Sequence, residues 1–160
     1  MKVFISHQKD DKNEAEKIAR YLKDAGIEVY FDEYDRELQI ALQTNNPNAV
    51  VKAIKNGINI STHMLCIVSR NTLNSAWVPF EIGYGHDKIN LATLTLKGIT
   101  NSELPDYIKT SKIIRDIYDI DKFVNTYGTS FILESLNVSR NFSKQADITH
   151  PLSSIMDTII

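Results

Sequence analysis

Short apolar runs alternate along the chain with stretches whose apolar residues recur at helical spacing, beginning at the N-terminus. Lys2, Val3, Phe4, Ile5 and Ser6 read as a strand that ends on the polar run Ser6, His7, Gln8. Asp11, with Glu14 three residues on, has the spacing of a helix capping box. Ala15, Ile18, Leu22 and Ala25 then mark one helical face, up to Gly26 in the position of a C′ glycine. Residues 27–31 form the second apolar run. The polar stretch that follows, 32–48, is too long for a simple connector, and its 37–42 part suits a short helical turn. Asn46 and Pro47 look like an N-cap with proline at the first helical position, and Val50, Ala53 and Ile54 give that helix an apolar face.

Residues 63–69, with Met64, Leu65, Cys66, Ile67 and Val68 at the centre, are the most continuously apolar run, as a parallel strand covered on both faces would be. A further helix is predicted from Ser75 or Ala76 to about 87, provided that Pro79 lies in its first turn. Strands are predicted at 91–96 and 112–116, and a last long helix at about 120–136. Pro151, Leu152, Ile155, Met156 and Ile159 then have the spacing of a short amphipathic helix. This alternation predicts an α/β domain with a mostly parallel five-stranded sheet and helices on both faces. The expected organisation is one unit, with a main domain over 1–136 and an extension over 137–160.

Composition narrows the classes. The chain has 160 residues, 42% apolar and 24% charged, which suits one domain with a real core. Its net charge of −2 argues against a general nucleic-acid binder and gives no support to an electrostatic membrane anchor. No apolar run approaches the roughly 20 residues of a membrane helix. The single cysteine, Cys66, leaves no internal disulfide and no multi-cysteine zinc site. His7, His63, His86 and His150 lack metal-ligand spacing, so no metal is expected. The immediate start on a strand leaves no room for a signal peptide, and the reducing cytoplasm is the expected location.

In open α/β sheets ligands bind beyond the carboxyl ends of the strands. Here those ends carry Ser6 and His7, then Asp32, Glu33 and Asp35, then Ser69, Arg70 and Asn71. The following helix carries Trp77 and Glu81, four residues apart and therefore on one face. Spacing alone leaves two readings. In one, Trp77 is core and Glu81 a solvated acid; in the other, a carboxylate beside an indole is partly desolvated and chemically useful.

Three segments resemble Toll/interleukin receptor (TIR) domains. Phe4, Ile5 and Ser6 followed by Asp11, Ala15, Ile18 and Leu22 resemble their first box, and Val29, Tyr30, Phe31 and Asp32 their second strand entering the long BB loop. Ser75-Ala76-Trp77-Val78-Pro79-Phe80-Glu81-Ile82-Gly83-Tyr84 resembles the Ser-x-Trp-x-Pro-x-Glu-Leu-Gly segment of bacterial TIR proteins, whose glutamate is catalytic in the NAD-cleaving members. The resemblance spans about residues 2–116. It implies a flavodoxin-like three-layer fold and an NAD⁺ nucleosidase or ADP-ribosyl cyclase with NAD⁺ as substrate and no bound cofactor. It also implies a place in bacterial anti-phage defence, by NAD⁺ depletion or a nucleotide signal. Carried onto this chain, Glu81 is catalytic, Trp77 shapes its pocket, Ser6 and His7 lie near the ribose or phosphates, and Asp32 sits at the base of the BB loop. Implied partners are further copies through TIR surfaces and a separate sensor or effector chain, with no nucleic acid and no membrane.

A single carboxylate suits that reaction. Nicotinamide leaves as a neutral molecule from a pyridinium and needs no general acid, unlike the leaving groups of O-glycosidases. What remains is to stabilise an oxocarbenium-like ribosyl cation, which preorganised negative charge can do by about 3–4 kcal/mol. Two other readings are a non-catalytic TIR scaffold and an enzyme like nucleoside deoxyribosyltransferases, which share the architecture and also use a glutamate. Residues 33–46 lack the arginine-proline-glycine cluster of many adaptor TIR domains. Gly83, Tyr84 and Gly85 lie inside a predicted helix and not after the first strand, which removes a dinucleotide-binding fingerprint. Cys66, inside its apolar strand, reads as packing.

Overall fold

The computed structural model describes residues 1–129 and 150–158. Five strands, β1 Lys2–Ser6, β2 Glu28–Tyr30, β3 His63–Val68, β4 Asn90–Thr95 and β5 Lys112–Ile114, form one sheet in the order β2-β1-β3-β4-β5, and every neighbouring pair is parallel. This is the flavodoxin-like, doubly wound order, whose switch point lies between β1 and β3.

The period of two along each strand splits the core into two layers. Val3, Ile5, Leu65 and Ile67 pack with α1 (Lys12–Asp24), α6 (Ile117–Tyr127) and the segment that carries Leu152, Ile155 and Met156. Phe4, Met64, Cys66 and Val68 face the opposite way, against α2 (Arg36–Gln43), α3 (Pro47–Asn59), α4 (Trp77–Gly85) and α5 (Asp106–Lys109). Ser6 lies two residues after Phe4 and therefore points toward the α4 side.

Local chemistry accounts for most boundaries. Gly26 has φ +78°, and Gly26 N–H donates to Lys23 O while Ile27 N–H donates to Leu22 O, the paired bonds of a Schellman stop. Asn46 accepts from Ala49 N–H at 3.1 Å with Pro47 at the first helical position. Pro79 is the third residue of α4 and leaves no ladder bond unmade there.

Several expectations are corrected. Asp11 does not cap α1 with its side chain; a 3-10 turn, Lys9–Asp11, precedes the helix and turns that carboxylate inward. The 37–42 turn is part of α2, capped by Asp35, which accepts from Leu38 N–H at 3.0 Å. The last helix begins earlier, at Ile117, because Asp116 caps it by accepting from Asp119 N–H at 2.9 Å. It ends at Tyr127, and residues 130–136 of the predicted span lie outside those described. The predicted C-terminal amphipathic helix is instead a run of turns over residues 151–155. The segment makes local turn bonds, Ser153 N–H to His150 O and Met156 N–H to Leu152 O, both at 2.9 Å, and is held by pairing with the body: Lys97 N–H donates to Ile155 O at 2.8 Å and Ile117 N–H to Asp157 O at 3.0 Å. Ile159 and the 136/137 boundary fall outside the described residues. No described helix is long and apolar enough to cross a membrane.

Candidate functional site

A cavity of about 560 Å³ opens beyond the carboxyl ends of β1 and β2, beside the switch point. Five segments supply its walls. His7, Gln8 and Lys9 follow β1, and Asp32 and Glu33 follow β2. Helix α2 contributes Leu38, Gln39 and Leu42, α3 contributes Val50 and Ile54, and residues 74–77 with Glu81 close the remaining side. His7, Asp32, Trp77 and Glu81, far apart in sequence, therefore meet in one place. Ser6 is not on the cavity wall. It is buried behind Glu81 and donates from Oγ to Glu81 Oε2 at 2.5 Å.

Glu81 is 8% exposed, on a helix otherwise held by Val78 and Ile82 in the core. Burial pushes its carboxyl up to about 8; the Ser6 hydrogen bond pulls the other way and the Asp32 charge adds to the rise. Trp77 is 41% exposed at the rim, its ring edge-on to Phe80 at 5.9 Å. A core indole and a solvated acid therefore do not describe this pair: the acid is inside and the indole outside. The desolvation of Glu81 comes from the helix-sheet contact as a whole.

His7 packs on Phe31, ring centroids 5.0 Å apart, with its side chain only 3% exposed. Its Nδ1 lies 3.6 Å from Asp32 Oδ1. Burial raises the Asp32 carboxyl, and the facing His7 opposes that rise. Glu33 is tied outward by Lys12 Nζ at 2.7 Å, so the turn after β2 is anchored to the start of α1. The wall formed by α2 is fixed by Tyr30, whose hydroxyl donates to the capping residue Asp35.

The α2 wall and the inward role of Asp11 were not read from the sequence. Leu38, Ala41 and Leu42 at helical spacing inside the polar stretch are the signal for the first. For Asp11 there is none, because its partners are distant: Ser69 Oγ at 2.5 Å and Asn71 Nδ2 at 2.8 Å donate to it from the loop after β3. Cys66 is fully buried and burial pushes its thiol up, which suits packing. Among the described residues no group of three or more His, Cys, Asp or Glu is arranged to hold a metal ion.

No curated protein matches the sequence. Among solved structures, that of a Treponema denticola PurE2 variant is similar at 15% identity and a TM-score of 0.47, covering 92% of this chain and 98% of that one. A family model described as TIR domain matches residues 3–128, from β1 through the end of α6, and the chain accordingly belongs to the TIR domain family.

Proposed function

We propose that this TIR domain is an NAD⁺ nucleosidase that breaks the nicotinamide–ribose bond and yields ADP-ribose or a cyclised or transferred ADP-ribosyl product. The observation that carries the reading is Glu81, buried against the cavity and braced by Ser6 Oγ at 2.5 Å. A solvated helical acid would have no such brace and no raised proton affinity. In a site screened from water, a carboxylate is worth far more to a developing ribosyl cation than in solvent. The nicotinamide ring of NAD⁺ is itself cationic, so its arrival favours the ionised form of Glu81 that burial disfavours. Trp77 at the rim offers a flat face to a ring or base, while Lys9 in the cavity wall supplies an ammonium for the diphosphate. The wider role proposed is bacterial anti-phage defence in the cytoplasm, by NAD⁺ depletion or a nucleotide signal, with a separate sensor or effector chain.

A second, compatible reading is assembly through TIR surfaces. Tyr34 and Ile40, exposed by 58% and 50% in the segment that also carries the wall residue Leu42, are apolar enough to meet another copy. Incubating the full chain with NAD⁺, dilute and concentrated, beside Glu81→Ala and identifying products by mass tests both readings. Nicotinamide release by wild type and none by the variant supports the nucleosidase. Equal turnover by the two overturns the role of Glu81, and intact NAD⁺ under every condition leaves the scaffold.

A further inference from the structure

His7 Nδ1 is the one buried side-chain polar atom among the described residues without a hydrogen-bond partner. The other three histidines each have a ring nitrogen near one: His63 Nδ1 with Thr62 Oγ1 at 3.0 Å, His86 Nδ1 with Asp87 Oδ1 at 2.9 Å, His150 Nε2 with Asp121 Oδ1 at 3.1 Å. A buried polar atom left unpaired is costly, so its place in the cavity wall calls for an explanation. Asp32 Oδ1, at 3.6 Å, is only just beyond hydrogen-bond reach, and Phe31 fixes the ring plane. Catalytic hydrogen bonds are often this long before substrate binds and tighten in the complex.

We propose that His7, oriented by Asp32, is the base that takes the proton from the water or hydroxyl group that accepts the ribosyl unit. This deepens the NAD⁺ nucleosidase reading and rests on it. Glu81 faces the cation that forms as nicotinamide leaves; the attacking oxygen needs a different group, because a carboxylate holding that cation cannot also be spent on its proton. In the step, the bond from ribose C1′ to the pyridinium nitrogen breaks and both electrons pass to that nitrogen, giving neutral nicotinamide. The acceptor oxygen forms its bond to C1′, and its proton passes to His7. With Nδ1–H turned toward Asp32, Nε2 is the nitrogen left to receive it, and the imidazolium returns the proton to solvent. The division of labour follows the usual logic of a base held by a third group.

The test exploits an acceptor that has no proton to lose. A free nicotinamide nitrogen can add back to C1′ by its lone pair alone, so exchange of isotope-labelled nicotinamide into NAD⁺ needs no base. Wild type, His7→Gln, Asp32→Asn and Glu81→Gln are each assayed for that exchange and for the oxygen-linked product. His7→Gln is expected to lower the ratio of oxygen-linked product to label exchange by about 10²–10³-fold, the range of a lost general base. Asp32→Asn shows the same split with a smaller drop, and keeps the test open if His7→Gln does not fold. Glu81→Gln loses both reactions. Proportional loss of both in His7→Gln, or loss of neither, overturns the proposal alone, as does a wild type whose product is linked only through nitrogen. A wild type that neither cleaves nor exchanges NAD⁺ overturns the reading of the site, and the proposal with it.

Discussion

Glu81 sits where its own charge is unwelcome, and the cost is visible in its proton affinity. A carboxyl pushed up to about 8 keeps a proton in the folded chain that the unfolded chain releases near 4.5. Stability from this group is therefore complete below about pH 4.5 and is lost progressively as pH rises to about 8. Glu81→Gln removes the titration and preserves an acceptor for Ser6 Oγ. The variant should match wild type near pH 4.5 and exceed it increasingly up to pH 8, by about 3–5 kcal/mol at the most. Urea unfolding at pH 5, 7 and 9 reads this directly; parallel curves for the two proteins would refute the buried, neutral acid. Catalysis should run opposite to stability. If the anion does the work, kcat/KM climbs with pH toward a plateau above about 8, whereas the limb of kcat lies lower, because bound cationic substrate favours ionisation. A kcat/KM that falls from pH 6 to pH 8 would be incompatible with that role.

At the scale of elements, the cavity wall depends on a stack the sequence barely announces. The Tyr30 ring lies on Phe4, centroids 5.3 Å apart and planes within 10°, and its hydroxyl holds the Asp35 cap of α2. This leaves no room on α3: a Cβ at Gly57 would stand 2.5 Å from Tyr30 Cε1 and 3.0 Å from Phe4 Cε2. Gly57→Ala should displace Tyr30, costing about 1–3 kcal/mol as overpacking does, and loosen α2 against the site. A raised KM for NAD⁺ with an unchanged product pattern, measured beside a urea melt, is the expected result; an unaltered melt would mean that Tyr30 is free to move. Continuous runs such as 63–68 and caps such as Asn46-Pro47 made β3 and α3 legible, because the forces that shape them are local. Helix α2 was half-legible: its apolar positions have the right spacing, but three acids stand before it at 32, 33 and 35, and only packing decides that Asp35 caps. Asp11 reads locally as a cap, yet bonds 58 and 60 residues away to Ser69 and Asn71 outweigh that use. In the site, Glu81 and Trp77 were legible through a motif; which of the two is inside was not.

Over the whole molecule, the two faces of the sheet have separate tasks. The cavity and Glu81 belong to the α2–α4 face, whereas residues 150–158 seal the α1–α6 face. Leu152, Ile155 and Met156 are buried there among Ile120, Phe123 and Val124, and Asp157 bridges in parallel to Asp116 beyond β5. The segment therefore completes the core of a domain whose family match ends at residue 128. Met156 is fully buried, so Met156→Ala removes a long apolar side chain from a site walled by helix and sheet that cannot collapse freely. A loss of about 2–4 kcal/mol is expected, as for other Met→Ala changes in well-packed cores. Because the cavity lies across the sheet, NAD⁺ turnover per folded molecule should stay within about twofold of wild type at temperatures well below the melt. Denaturant unfolding and product assays on the same preparation separate the two quantities. A loss under 1 kcal/mol would mean that the segment only rests on the body; a selective loss of turnover with stability intact would mean that it communicates with the cavity through the sheet.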